Sequence, residues 1–587
     1  MHEELSFLAE IASEAANDRS SSAGSDASRQ VFADWLEERG EPRSVVFREG
    51  SGRANESGRL REQSLEREFE WELLAPIRHA LGAEVDRAIR RFGLDRGVPS
   101  FVSMDDDLFV KYSSRLFEVW PWLADVELVM ADEPFERFWQ AGVQSRLREL
   151  DLSNNSLITE TVAAFAHSEL MGQLHGLRLA DCELDPQAAE YLSSAAWPRL
   201  RRLSLANNYL GREGIRLLLE GIWLESLEEL DLSYNEIDPV AAYHLPNIPP
   251  QSALRSLNLS ANLIGNVGLE EIAQIDGWEN LATLNLNDNG LTPSGINSLL
   301  RSAWWPQLTS LSLAVNQLGD ESIRALCRKS VSSRVEALNL TGVGLGDDGV
   351  ELLGRTRAFP ELVTLNLMDN AFTADGLSAL LSTRAWAKLR SLSLGGVWGY
   401  FGPATAQVLD ADLPKLRLSR LDLLHFQGGG EVMQILCRGS ALSHLDDFSL
   451  RASEVDDDGA IALAACPAAA GLTALDLSVN RITDTGARAL AESPYLTRLR
   501  WLNLSSNRLG GDGIEALAVG SSLQNLTHLL VESNPHRPAA VEGLFDPRRL
   551  PRLISVSISM GAAQLPLKSL QTRFGARCSD GPGGAGR

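Results

Sequence analysis

A spacing of leucines that returns every 27 residues constrains the fold of this 587-residue chain more than any other feature. Between residues 472 and 509 the pattern L-x-x-L-x-L-x-x-N-x-L occurs twice. Leu475 and Leu477 are separated by one residue, so they point to the same side of a short strand. The polar turn that follows offers Thr483 or Asp484 as the N-cap of a helix. One such unit cannot bury its leucines alone, so the pattern predicts a stack of units.

The register of this pattern can be followed through most of the chain. Sixteen regular units begin at Leu147, Leu174, Leu200, Leu227, Leu254, Leu281, Leu308, Val335, Leu362, Leu389, Leu418, Leu445, Leu472, Leu499, Leu526 and Leu553. Strands stack about 4.8 Å apart whereas helices are about 10 Å thick, so the stack is expected to bend with its strands inside. The motif resembles leucine-rich repeats, and the period with helical connections resembles the ribonuclease-inhibitor type. The resemblance implies an α/β leucine-rich-repeat solenoid, a horseshoe with a concave parallel β-sheet and convex helices.

The region before the repeats has a different pattern. The string VFADWLEERGEPRS, from Val31, resembles the repeat-companion domain at the N-terminus of many bacterial leucine-rich-repeat proteins, which implies a bacterial protein. That family's helix continues into a segment like E-F-I-R-L-Q, whereas here it meets a Gly/Ser-rich stretch, so the docking of the small domain stays open. The sequence predicts five segments. They are a small helical domain at 1–49, a linker at 50–59, a helical and aromatic N-terminal cap region at 60–122, the solenoid at 123–563 with an atypical first turn, and a tail at 564–587.

Charge and targeting signals restrict the expected partners. The net charge is −24, from 78 acidic and 54 basic residues, which argues against nucleic acid and anionic membranes. The N-terminus has no secretory pattern, and no stretch has the roughly 20 apolar residues of a membrane span. Five cysteines without clustered spacing do not form a disulfide framework. We therefore expect a cytoplasmic, monomeric protein.

Motifs that carry chemistry are absent from the sequence. There is no phosphate-binding loop of the G-x-x-x-x-G-K type, no HExxH and no Cys-x-x-Cys, so no catalytic, cofactor-binding or metal-binding residue is predicted. Acidic runs such as Asp456–Gly459 resemble calcium loops, but they lack the alternating ligand spacing and lie where helix caps occur in sister repeats.

The concave face is the remaining candidate site. Residues three, five and seven of each unit point there, and in the central units they are small and neutral. Towards the C-terminal end they become large or charged, and the candidate partner-binding residues are Arg451, Asp476, Trp501, His528 and Glu532. The register makes Trp501 and His528 lateral neighbours on adjacent strands. The alternative is that Trp501 covers the C-terminal end of the stack.

The other tryptophans fit a structural role better. Trp197, Trp278, Trp305 and Trp386 lie three residues before the first leucine of the next unit, a fixed place that predicts core packing. Trp398, Tyr400 and Phe401 fall in an irregular 29-residue unit and either fill the core or project as a loop.

These observations favour a non-catalytic scaffold that binds a protein or peptide on the concave face. The alternative is a regulator of an enzyme, an inhibitor or GTPase activator, by fold-level analogy with ribonuclease inhibitor and the Ran GTPase-activating protein.

Overall fold

A computed structural model describes most of the repeat region and the residues just before it. The described residues are 89–95, 98–120, 123–129, 147–168, 171–249, 252–328, 333–382, 386–397, 401–535, 538–546, 548–553 and 555–558. The predicted small domain, linker and tail therefore lie outside the described residues. The chain divides into two compact units, which separate between Asp231 and Leu232.

The described part of the first unit begins with two strands that pair with each other antiparallel, and the later strands then follow in parallel. Its elements are β1 (Ile89–Asp95), β2 (Val98–Asp105), α1 (Asp106–Val119), β3 (Asp125–Val129), β4 (Glu149–Asp151), α2 (Thr159–Ala166), β5 (Gly176–Arg178), α3 (Pro186–Ser194), β6 (Arg202–Ser204), α4 (Gly211–Leu218) and β7 (Glu229–Asp231).

Strands β1 and β2 lie in the segment for which the sequence predicted a helical and aromatic cap at 60–122. The helical prediction is wrong there, and only α1 is helical among the described residues of that segment. Val102, Ser103 and Met104 are each at most 1% exposed, so the centre of β2 is buried on both of its faces. Strand β2 pairs in parallel with β3 on one side and antiparallel with β1 on the other. The backbone edge of the parallel strands is therefore paired rather than exposed at this end.

The second unit repeats a strand, a turn and a helix. Its elements are α5 (Pro239–Ala242), β8 (Ser256–Asn258), α6 (Gly265–Ala273), β9 (Thr283–Asn285), α7 (Pro293–Leu299), β10 (Ser310–Ser312), α8 (Gly319–Leu326), β11 (Ala337–Asn339), α9 (Asp347–Arg355), β12 (Thr364–Asn366), α10 (Ala374–Leu381), β13 (Ser391–Gly395), α11 (Pro403–Asp412), β14 (Arg420–Leu424), α12 (Gly429–Arg438), β15 (Asp447–Arg451), α13 (Asp457–Ala464), β16 (Ala474–Asp476), α14 (Asp484–Ala491), β17 (Trp501–Asn503), α15 (Gly511–Val519), β18 (His528–Leu530) and β19 (Ser555–Ser557).

The leucines of the repeat form the core between the strands and the helices. Leu475, Leu477, Leu502 and Leu504 have no exposed surface, and successive strands pair in register without a shift. The leucine-rich-repeat solenoid predicted from the sequence is confirmed. Its strands are parallel because each helix returns the chain to the same end of the next strand.

An asparagine follows many of the strands and links neighbouring turns. Asn480 donates from Nδ2 to the carbonyl oxygens of Leu450 (2.8 Å) and Leu477 (2.9 Å). Its Oδ1 accepts from the backbone N–H groups of Ser453 (3.0 Å) and Val455 (2.9 Å) in the preceding repeat. These bonds recur at the same position along the stack, so the side chain satisfies turn groups that the strands leave unpaired.

The residue before this asparagine has a left-handed backbone in repeat after repeat. Asn154, Asn207 and Val479 have φ angles of 63°, 52° and 58°. Asparagine tolerates this conformation, whereas a β-branched valine is strained in it. At the position before the ladder asparagine, an asparagine is therefore expected to stabilise the fold relative to a β-branched residue.

The acidic residues near the helix starts act as caps, and some of them cap the next repeat. Asp456 accepts from Gly459 N within its own helix at 3.1 Å. Asp457 instead accepts from the backbone N–H groups of Thr483 (2.8 Å) and Gly486 (2.9 Å), at the start of α14. The carboxylate thus pairs with the orphan donors and the positive end of the neighbouring helix.

The predicted aromatic core positions are confirmed. Trp197, Trp278, Trp305 and Trp386 are each at most 3% exposed. In the irregular unit Phe401 is buried and stacks against Phe426 with ring centroids 5.3 Å apart, so it fills the core. Trp398 and Tyr400 lie outside the described residues.

Candidate partner-binding face

The solvent-facing side of strands β8–β19 is called the strand face here. Its third and fifth repeat positions are small and polar through β8–β13, and the pairs are Ser256/Asn258, Thr283/Asn285, Ser310/Ser312, Ala337/Asn339, Thr364/Asn366 and Ser391/Ser393. Short side chains of this kind bond to one another, as Ser312 Oγ does to Asn287 Oδ1 at 2.6 Å. They supply few of the large anchors that dominate binding interfaces.

Trp501 lies on this face with unlike neighbours on its two sides. It pairs in register with His528 on β18 and with Ala474 on β16. The prediction that Trp501 and His528 are lateral neighbours on adjacent strands is therefore confirmed. The small Ala474 leaves one edge of the indole without a large lateral neighbour. Thr527 Oγ1 lies 2.9 Å from His528 Nδ1, which orients the imidazole.

Trp501 differs from the other tryptophans in its exposure. Eight of the thirteen tryptophans are among the residues that the structure describes, and seven of these are at most 3% exposed. Trp501 alone in this set keeps a partly exposed side chain. The strand periodicity explains the difference, because Leu502 points into the core and its neighbour must point away from it.

The remaining candidate residues are spread over the face. Asp476 lies on the strand next to Trp501 and accepts from Asn503 Nδ2 at 3.3 Å. Arg451 is at the far end of β15, two strands away, so its backbone is roughly 16 Å from that of Trp501. Its guanidinium is 3.4 Å from Asp422 Oδ2. The structure therefore brings together Trp501, His528 and Asp476, and it separates Arg451 from them.

Glu532 lies beyond the end of β18 and is exposed. Its carboxylate accepts a hydrogen bond from Ser557 Oγ on the next strand. Trp501 is at the start of its strand, whereas Glu532 follows the end of the neighbouring strand. Arg451 is likewise at the end of its strand. The two residues mark the same edge of the strand face rather than the surroundings of the indole.

Charges on the strands of the first unit were missed by the sequence reasoning. Glu149, only 5% exposed, extends over Gly176 and pairs with Arg202 two strands away. A Cβ at position 176 would lie 1.8 Å from Glu149 Oε2, so a larger residue there would force the Glu149 carboxylate to move. Burial lowers the pKa of Arg202, but the Glu149 carboxylate outweighs it and raises the pKa overall. The repeat register places these three residues at one position, and that alignment was the available signal.

The described part of the chain contains neither a metal-binding cluster nor a membrane-spanning helix. No group of three or more His, Cys, Asp or Glu side chains there is arranged to hold a metal ion. Within the same residues, no helix combines the length and the apolar character needed to cross a membrane.

Family models identify leucine-rich repeats in several segments of the chain. A model described as "Leucine Rich repeat" matches residues 224–243, 252–273, 306–327, 361–381, 472–491 and 495–518, and a second matches residues 146–168. No curated protein matches the chain. The solved structures that resemble it include an internalin from Listeria monocytogenes, with 17% identity, a TM-score of 0.32, and coverage of 69% of this chain and 90% of that one. A leucine-rich-repeat protein of Leptospira interrogans has 19% identity, a TM-score of 0.33, and coverage of 73% and 100%.

Proposed function

We propose that this protein is a non-catalytic scaffold that binds a protein or peptide partner through the strand face around Trp501. Leucine-rich-repeat proteins are generally protein-binding scaffolds. The observation that carries the specific proposal is the partial exposure of Trp501 on a face that otherwise bears short polar groups or paired charges. Tryptophan is among the residues most enriched at binding hot spots, because its large surface is desolvated on contact.

The neighbours of Trp501 suit a partner segment that places an apolar side chain against the indole and a hydrogen-bond donor beside that side chain. Ala474 leaves room beside the indole, and His528 bounds it on the other side. Asp476 on the adjacent strand adds a partly exposed carboxylate, which accepts from Ser478 N at 2.9 Å and from Asn503 Nδ2 at 3.3 Å. Arg451 and Glu532 lie at the other edge of the face and extend the same surface.

The test compares Trp501→Ala with a variant at the same repeat position. Ser310→Ala is the matched control because Ser310 occupies the third position of β10, whereas the hydroxyl of Ser312 has a bond to lose. The full-length proteins are immobilised, partners are captured from an extract of the source organism and quantified by mass spectrometry, and the affinity of the enriched partner is then measured by calorimetry. We expect Trp501→Ala to weaken binding at least about fivefold, which is roughly 1 kcal/mol, and Ser310→Ala to leave it unchanged.

Urea unfolding of the same samples separates the two roles of the indole. If Trp501 is a contact residue, Trp501→Ala keeps the wild-type midpoint. A lowered midpoint with unchanged affinity would mean that Trp501 covers the end of the stack, and it would refute the proposed site. If the partner is an enzyme, its kcat/KM with and without the scaffold tests whether binding also regulates it.

A further inference from the structure

Two cysteines lie against each other on the helical side of the second unit. Cys437 is near the end of α12, and Cys466 follows the end of α13 in the next repeat, 29 residues later. Helices α12 and α13 pack side by side. The Cys466 thiol lies 3.7 Å from the carbonyl oxygen of Cys437, and the two thiols are hydrogen-bonded to each other.

The repeat itself brings these two positions together. In other repeats Thr356 Oγ1 donates to the carbonyl of Cys327 at 3.5 Å, and Ser493 Oγ donates to the carbonyl of Ala464 at 2.5 Å. Each of these pairs also spans 29 residues. The backbone therefore sets a side chain of one repeat against the helix end of the previous repeat. Of these three pairs, only Cys437 and Cys466 place sulfur at both positions.

We propose that Cys437 and Cys466 form a redox-active dithiol, an oxidation site that reacts with low-molecular-weight disulfides and closes to an intramolecular disulfide. Cys437 is the partly exposed member, so its sulfur attacks the small disulfide first and releases one thiol. Cys466 then attacks the Cys437 sulfur of the mixed disulfide and releases the second thiol. Two protein thiols and one small disulfide become one protein disulfide and two small thiols, so the protein loses two hydrogen atoms and two electrons.

The electrostatics of the pair favour this reaction over reaction at the other buried cysteines. The hydrogen bond from Cys437 lowers the pKa of Cys466 to about 7 against the opposing effect of burial, and the same bond raises the pKa of Cys437. The nearby Asp410 carboxylate raises the pKa of both thiols. By contrast, burial raises the pKa of Cys327 to about 11, so that thiol remains protonated at neutral pH. Exchange requires a thiolate. The pair gives up one proton near neutral pH, and when the remaining proton moves from Cys437 to Cys466 within their hydrogen bond, the negative charge lies on the partly exposed Cys437 sulfur that attacks.

The experiment exposes the reduced, full-length protein to glutathione disulfide at neutral pH. Free thiols are then alkylated, and the digested protein is mapped by mass spectrometry. We expect a cross-linked peptide pair that contains Cys437 and Cys466, and a protein mass lower by two hydrogen atoms. Cys327 should stay reduced in the same samples. Glutathione adducts on Cys437 or Cys466 without a cross-link would overturn the proposal, and so would wild-type protein that stays fully reduced while its urea-unfolded form is oxidised.

Two variants test whether the repeat geometry is the cause. Cys466→Ser keeps a donor in a position where Ser493 is accommodated, and it should stop at a single glutathione adduct on Cys437. Thr356→Cys places a second sulfur opposite Cys327 and should create a new cross-link between those two residues. A properly folded Thr356→Cys protein that forms no cross-link would contradict the geometric argument, and circular dichroism establishes the folding of both variants.

Discussion

The asparagine ladder gives the sharpest prediction, because the number of bonds lost can be read directly. Asn480→Ala removes the acceptor of the Ser453 and Val455 N–H groups, at a site only 8% exposed. It also removes the donor to three carbonyl oxygens, those of Leu450, Leu477 and Ser478. A buried N–H group left without a partner costs about 1–3 kcal/mol. Two such groups, with some relaxation of the turn, should lower the free energy of unfolding by about 2–4 kcal/mol.

The matched control is Asn366→Ala on the strand face. Asn366 Oδ1 accepts from Met368 N at 3.0 Å, in a partly exposed setting, so the same change of residue type removes one bond rather than five. We expect a loss of about 0.5–1 kcal/mol. Urea unfolding measures both variants, and hydrogen exchange followed by mass spectrometry should show faster exchange at the Ser453 and Val455 amides in Asn480→Ala. Equal urea midpoints for the two variants, with unchanged exchange at those amides, would refute the reasoning.

Three further substitutions test other contacts, each by urea unfolding. Asp457→Ala should lower the free energy of unfolding by about 1–3 kcal/mol, because the N–H groups of Thr483 and Gly486 at the next helix lose their acceptor. Asp458→Ala is the control, and equal effects of the two substitutions would contradict the inter-repeat cap. Gly176→Ala should destabilise by about 1–3 kcal/mol, since its Cβ would displace Glu149 from Arg202, and a neutral result would show that the pair tolerates the shift. Val479→Asn should stabilise by about 0.5–1 kcal/mol because asparagine tolerates φ of 58°, whereas the same change at a position with negative φ should not.

The sequence predicted those parts of the fold that the 27-residue register governs. Leu475 and Leu477 are buried, as the alternation predicted. Trp501 and His528 lie side by side on adjacent strands because both hold the third position of their repeats. A periodic pattern determines which face a side chain takes and which residue lies beside it in the next repeat. It therefore also predicted where the small polar part of the strand face ends.

The parts that the sequence did not predict are set by contacts outside the repeat pattern. Strands β1 and β2 precede the first regular unit, so no register marked them, and their pairing partners decide their conformation. The charge pairs depend on how far a side chain extends: Arg451 reaches Asp422 on the neighbouring strand, and Glu149 reaches Arg202 across Gly176. The cap that Asp457 supplies to α14 is likewise a long-range bond. Local capping rules predict a cap at that residue but not which helix it serves.

The ladder has a consequence for how a chain like this one can change its length. The donors of one turn meet the asparagine of the next, and the Asp457 carboxylate meets the start of the next helix. Excision of residues 472–498 would present Asn507 where Asn480 now stands and Gly510 N where Thr483 N now stands, and both bonds could form again. A deletion that is not a whole number of periods would offer Ser453 a residue of the wrong kind. Whole periods are thus interchangeable units of length, and fractions of a period are not.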